Sequence, residues 1–270
     1  MKLPARLIFL LLFLCHQTQS AQLSLPRLDS EQLMWLGDRI YSNECNKQTA
    51  CLTTWNQGED FPSLGIGHFI WYRQGQSEIY TETFPALLDF LQREGVQLPS
   101  WLDETDREQP WPDRAAFMAA TDDESLVALR KLLSETTARQ TAFIAERFRL
   151  TVPQLLDSLP ESESLLLKSR ISRIANSDVP MGMYALIDYV HFKGTGLNPD
   201  ERYQGEGWGL LQVLQQMEDN EVSPLTAFVR SASAVLQRRV TNAPVERQEQ
   251  RWLNGWLNRL DTYLPPAGNQ

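Results

Sequence analysis

"PSLGIGHFIW", Pro62 to Trp71, sets residues that favour strands against residues that weaken them. Leu64, Ile66, Phe69, Ile70 and Trp71 are strand formers, whereas Gly65 and Gly67 contribute no side chain to pack. Side chains alternate across a strand, so both glycines fall on one face. A strand over 63–72 with a cleared face predicts something that comes close to the backbone. The segment "RQGQS" then reads as a turn and "EIYTE", residues 78–82, as a return strand, which completes a hairpin.

The remainder reads as helix. "LDSEQLMWLGDRIYSNE" opens with Asp29 as N-cap and Gln32 as its capping-box partner, and Leu33, Leu36 and Ile40 form the apolar stripe. Residues 45–60 read as a polar loop. Further helical segments cover 84–95, 122–148 (as one helix or two), 155–175 with a break at Pro160, 179–194, 207–217, 223–240 and 244–264. Three prolines and several acids over 98–113 predict a surface excursion. The fold class is α+β, mostly α, with one small hairpin near the start.

The first twenty residues carry Lys2 and Arg6, then the apolar run Leu7–Leu14, then a polar stretch. This is the pattern of a secretory signal peptide cleaved near Ser20 or Ala21, so export to the periplasm or beyond is expected. Cys15 raises a lipoprotein alternative, which bulky Leu14 before it disfavours. Residues 21–270 then form one domain. Loss of the leader leaves Cys45 and Cys51, an even pair that predicts a disulfide in an oxidising compartment. It also takes the formal net charge from −9 by two units to −11. That balance argues against nucleic acid and anionic membrane as partners, and no later segment has the length and apolarity of a membrane span. His68, His191 and the scattered acids give no metal-ligand spacing, and no cofactor is implied.

Glu44 continues the apolar stripe of the first helix into its last turn. Burial and the negative end of the helix dipole both raise a carboxyl pKa, and a protonated carboxylic acid near neutral pH is what a general acid requires. The bland alternative is a solvated acid on a fraying turn. Glycosidic cleavage needs such a donor, often a second carboxylate, and a groove for sugar rings. Gly65 and Gly67 would floor that groove.

With these residues in place, the chain resembles the lysozyme-like superfamily, in particular phage-type lysozymes and endolysins. In those proteins a helix ends at a catalytic Glu and a hairpin follows with T-I-G-I-G-H or a variant; here "SLGIGH", Ser63 to His68, stands in that place. "ALIDYVHFKGTG", Ala185 to Gly196, is similar to the family's buried central helix, and "RRVTNAPVERQEQRW" to its C-terminal stretch. The chain also resembles an exported bacterial family with N-E-C…W-N-x-G-E-x-F-x-S-L-G-I-G-H-F-I-W. Residues 95–180 have no counterpart in the resemblance.

What the resemblance implies is a peptidoglycan partner and cleavage of its β-1,4 bond, with Glu44 as general acid and Ser63 holding the attacking water. The family's second acid would fall at position 57, where this chain has Gln; Glu59 and Asp60 are displaced substitutes. Without a second carboxylate the same Glu would serve a lytic transglycosylase, and a silent glycan-binding scaffold is the alternative outside catalysis. His68 is mainly structural in the family and lies near the cleft. Trp55, and Tyr203 and Gln204 in "ERYQGEGWG", are candidates to contact sugar. His191 reads as a core residue.

Overall fold

A computed structural model describes residues 23–76, 80–104, 108–219 and 223–266. The expected leader over 1–20, with Cys15, lies outside the described residues. The first helix, α1 (Ser30–Cys45), starts as its sequence requires: Asp29 accepts from the Gln32 amide at 2.9 Å, and Gln32 Oε1 accepts from the Asp29 amide at 3.1 Å. Leu36 and Ile40 are fully buried. The helix ends at Asn46 in the left-handed region, and the chain passes through a 3-10 turn (Thr49–Leu52). The Cys45–Cys51 disulfide is formed and ties that turn to the helix end.

The hairpin differs from its sequence reading. The expected strand over 63–72 folds back on itself as β2 (Ser63–Leu64) and β3 (Phe69–Ile70), with Ser63 opposite Ile70 and Leu64 opposite Phe69. Gly65 at φ +69° and His68 at φ +45° make the reversal. Both lie in the left-handed region that glycine enters freely, so the glycines mark a turn rather than a cleared strand face. A third strand, β1 (Thr53–Thr54), pairs with β2 from a segment read as loop. The expected return strand over 78–82 lies partly outside the described residues, and 80–82 is not strand. Instead the Ile70 amide donates to Thr83 Oγ1 and the Tyr72 amide to Glu82 Oε1.

The glycine face is not open either. A Cβ at Gly65 would lie 2.4 Å from Gln140 Oε1, and one at Gly67 would lie 2.8 Å from Phe69 Cζ and 3.1 Å from His191. At Gly65 the protein's own Gln140 and Phe69 side chains occupy the space over the backbone.

The helices follow as α2 (Phe84–Arg93), α3 (Ser100–Glu104), α4 (Arg114–Ala119), α5 (Glu124–Glu135), α6 (Thr137–Asp157), α7 (Glu161–Ala175) and α8 (Met181–Lys193). After the short hairpin β4 (Arg202–Tyr203) and β5 (Glu206–Gly207) come α9 (Leu210–Gln216), α10 (Pro224–Asn242) and α11 (Gln250–Asp261). The segment 95–180 is integral to the core, because α6 packs against α1, α2, α7 and α8. Residues 98–113 are not wholly a surface excursion: Trp111 is buried, and with Trp101 it packs around Trp71. No helix among the described residues is long and apolar enough to cross a membrane.

Gln140, fully buried on α6, holds the turn. Its Oε1 accepts from the Ile66 amide at 2.9 Å, while its Nε2 donates to the Leu133 carbonyl at 2.6 Å and to Thr136 Oγ1 at 3.1 Å. Gly65→Ala is therefore expected to destabilise the protein by about 1–3 kcal/mol, through a strained φ and displacement of this amide. Urea unfolding measures it, and a stability equal to wild type would contradict this reading of the turn.

Candidate active site

Glu44 ends α1 against a cleft of about 310 Å³ whose other walls come from the Gly67–His68 turn, from Thr81 and Thr83, and from α6 and α8. This is the small end of the ligand-pocket range, roughly 300–1,000 Å³. The charged or titratable residues on the wall are Glu44, His68, Arg147 and His191. Phe148, Ile187 and Phe192 supply apolar surface.

The Glu44 carboxylate is held from behind by Arg259 of α11, whose Nη2 donates to Oε1 at 2.6 Å. The same guanidinium donates twice to Asp188 of α8, from Nε at 2.8 Å and from Nη2 at 2.9 Å. Tyr263 OH donates to Asp188 Oδ2 at 2.6 Å. Arg259 also lies 4.2 Å from the centroid of the Phe192 ring. Asp188 is fully buried, and the clamp supplies its counter-charge and hydrogen bonds.

Sequence reading placed Glu44 correctly on the buried side, but the expected protonation is reversed. Burial raises its pKa and is the largest single influence. Arg259 opposes it, with smaller contributions from His191 and His68, and the carboxyl falls below its ordinary 4.5. The resting site holds a carboxylate. His191 forms part of the cleft wall rather than the core. Burial lowers its pKa below 6.5, Glu44 pulls it upward, and Arg259 pushes it down again.

His68, held at positive φ, turns its ring between two partners. Nδ1 lies 3.4 Å from Glu44 Oε2, and Nε2 lies 3.4 Å from Cys51 Sγ. The ligand atoms of Cys45, Cys51 and His68 lie within 4.8 Å of one another, but the sulfurs are bonded to each other, which removes the thiolates that a metal would need.

The other candidates lie elsewhere. Ser63, Glu59 and Asp60 do not line the cleft. Ser63 Oγ comes within 3.5 Å of Glu59 Oε2, which also accepts from Asn56 Nδ2 at 3.2 Å, so Glu59 and Ser63 meet each other away from Glu44's cleft wall. Asp60 is exposed, and its backbone carbonyl accepts from Gln76. Trp55 is buried, donates to the Glu59 carbonyl at 2.7 Å and packs on Phe117, so its face is not available to a sugar. Of the two proposed floor glycines, only Gly67 reaches the cleft.

Tyr203 and Gln204 belong to the β4–β5 hairpin and do not line the cleft; Gln204 occupies its turn at φ +52°. Tyr203 OH donates to Glu249 Oε1 at 2.8 Å, and Glu249 is gripped by Arg239 through bonds of 2.7 and 2.8 Å. Beside this group, Lys193 Nζ lies 3.9 Å from the Phe192 ring centroid and 3.6 Å from that of Trp256. Burial, then Arg239 and Arg259, push the Lys193 ammonium down to about 6, while the two rings favour its cation.

Sequence reading missed Asp188, Arg259 and Lys193. A signal existed for the first: an acid inside the apolar "ALIDYV" requires a buried cation. Comparisons of the chain with protein-family models, curated proteins and solved structures found no match.

Arg259→Met leaves two carboxylates without their cation and is expected to cost about 3–5 kcal/mol at pH 7. Because Glu44's folded pKa is depressed, its contribution is present above 4.5 and is lost as pH falls toward the lowered value. Denaturant unfolding of the wild type and variant across pH 3–7 tests both points; a variant as stable as wild type at pH 7 would contradict the clamp. Lys193→Met is expected to stabilise by about 1 kcal/mol or more at pH 7. The gain should shrink as pH rises toward the lysine's ordinary 10.5, where the unfolded chain also loses its proton. Thermal unfolding at pH 7 and 10 reads the difference.

Proposed function

We propose that this protein cleaves the β-1,4 glycan strand of peptidoglycan, with Glu44 as the group that protonates the leaving oxygen. The observation that supports the reading is a single one: a glutamate at a helix end faces a cleft beside a G-I-G-H turn, with an arginine seated behind its carboxylate. The export expected from the leader fits a cell-wall substrate.

The chemistry starts from an ionised Glu44, so the productive form is the protonated fraction. Glu44 gives its proton to the glycosidic oxygen as the C–O bond breaks and charge develops on the ring. Arg259 stabilises the carboxylate this leaves. The same carboxylate then takes a proton from the attacking hydroxyl.

A lytic transglycosylase is favoured by one observation. Glu44 is the sole carboxylate on the cleft wall among the described residues, whereas Glu59 and Asp60 lie off it. In that route the muramic acid's own C6 hydroxyl attacks and no second carboxylate is needed. A hydrolase would have to draw its base from the Glu59–Ser63 pair.

Glu44→Gln is expected to lower cleavage of purified peptidoglycan by about 10²–10⁴-fold while keeping the fold, since an amide oxygen still accepts from Arg259. Mass spectrometry of wild-type products distinguishes anhydro-muramic ends from reducing ends. Wild-type activity in Glu44→Gln would refute the assignment, and binding without any product would leave a silent glycan-binding scaffold.

A further inference from the structure

Arg147 stands on α6 within the stretch that has no counterpart in the resemblance, and it lines the same cleft as Glu44. The other arginines packed into the molecule have oxygen partners: Arg130 donates to Thr53 Oγ1 and the Thr121 carbonyl, Arg149 to the Leu25 and Pro26 carbonyls, and three more hold acids. Arg259 holds Glu44 and Asp188, Arg239 holds Glu249, and Arg170 holds Asp219. Arg147 has no carboxylate or carbonyl against its guanidinium among the described residues, and it lies 5.7 Å from the centroid of the Phe143 ring. Burial alone pushes its pKa down, and no acid counters that shift. The neighbouring Glu146 is paired with Arg93, and Glu44 is held by Arg259.

We propose that Arg147 is the specificity-determining anchor of the cleft and recognises a carboxylate on the bound glycan. That the ligand is an acidic sugar rests on the function proposed above; that the cleft takes an anion rests on the geometry. A neutral sugar would offer the guanidinium only uncharged hydroxyl or acetamido acceptors, which form weaker bonds and do not balance its buried charge. A carboxylate meets that charge with a forked, charge-assisted hydrogen bond. The charge sits in a chain that is acidic overall, so the attraction is local to the cleft. In peptidoglycan the carboxylate has two sources, the lactyl group of an unsubstituted muramic acid or the carboxylates of its stem peptide.

The test uses the mature chain and the ring signals of His68 and His191, both on the cleft wall. N-acetylmuramic acid, muramyl dipeptide and N-acetylglucosamine are titrated separately and followed by NMR. Wild type is expected to bind one or both acidic compounds about 10- to 100-fold more tightly than N-acetylglucosamine, and the tighter of the two identifies the carboxylate source. Arg147→Gln is expected to lose that preference, and Arg147→Lys to recover part of it as a charge without a fork. Absence of the preference in wild type, or its persistence in Arg147→Gln, overturns the proposal. Cleavage is scored separately. A protein that prefers the acidic compounds yet yields no product retains the anchor and loses the proposed activity.

Discussion

Arg259 is the cation on which the site depends. It joins α11 to α1 through Glu44 and to α8 through Asp188, so three helices distant in sequence meet at one guanidinium. Each acid would be costly to bury alone, and together they justify the buried cation. The bond to Glu44 spans 215 residues of chain, so closing the site requires the C-terminal helix to be in place. The clamp also sets the chemistry, because Glu44 would otherwise be a buried acid with a raised pKa. With Arg259 behind it, the Glu44 carboxyl is held below its ordinary range, in the form that proton donation would leave in the proposed reaction.

The hairpin serves that site as a support. Its turn is pinned by Gln140 from one side and packed by Phe69 and His191 from the other. This brings His68 to Glu44 and to the disulfide, so helix end, turn and 3-10 segment share one contact region. The cleft is lined by this region, α6 and α8, and α6 brings Arg147 to its wall.

Local signals were readable where the physics is local. The α1 capping box needs only Asp29 and Gln32, the disulfide needs only Cys45 and Cys51, and the burial of Glu44 follows from helical spacing. The misreadings share one cause. Gly65 and Gly67 satisfy the alternation of a strand, and only their dihedrals and neighbours identify a turn. Trp55 sits in a polar stretch that suggests a surface, yet Phe117 from α4 covers it. The pKa of Glu44 was misjudged because its decisive partner comes from a distant helix. Residues 95–180 offered no motif, although α6 supplies Gln140 and Arg147, the residues that hold the turn and charge the cleft.

The most direct test of this account is the titration of the Glu44 side-chain carboxyl in the folded wild-type protein, followed by its ¹³C NMR signal. The account predicts a midpoint below the ordinary 4.5. A midpoint above that value would show that burial prevails over Arg259 and would contradict the clamp on which the mechanism is built.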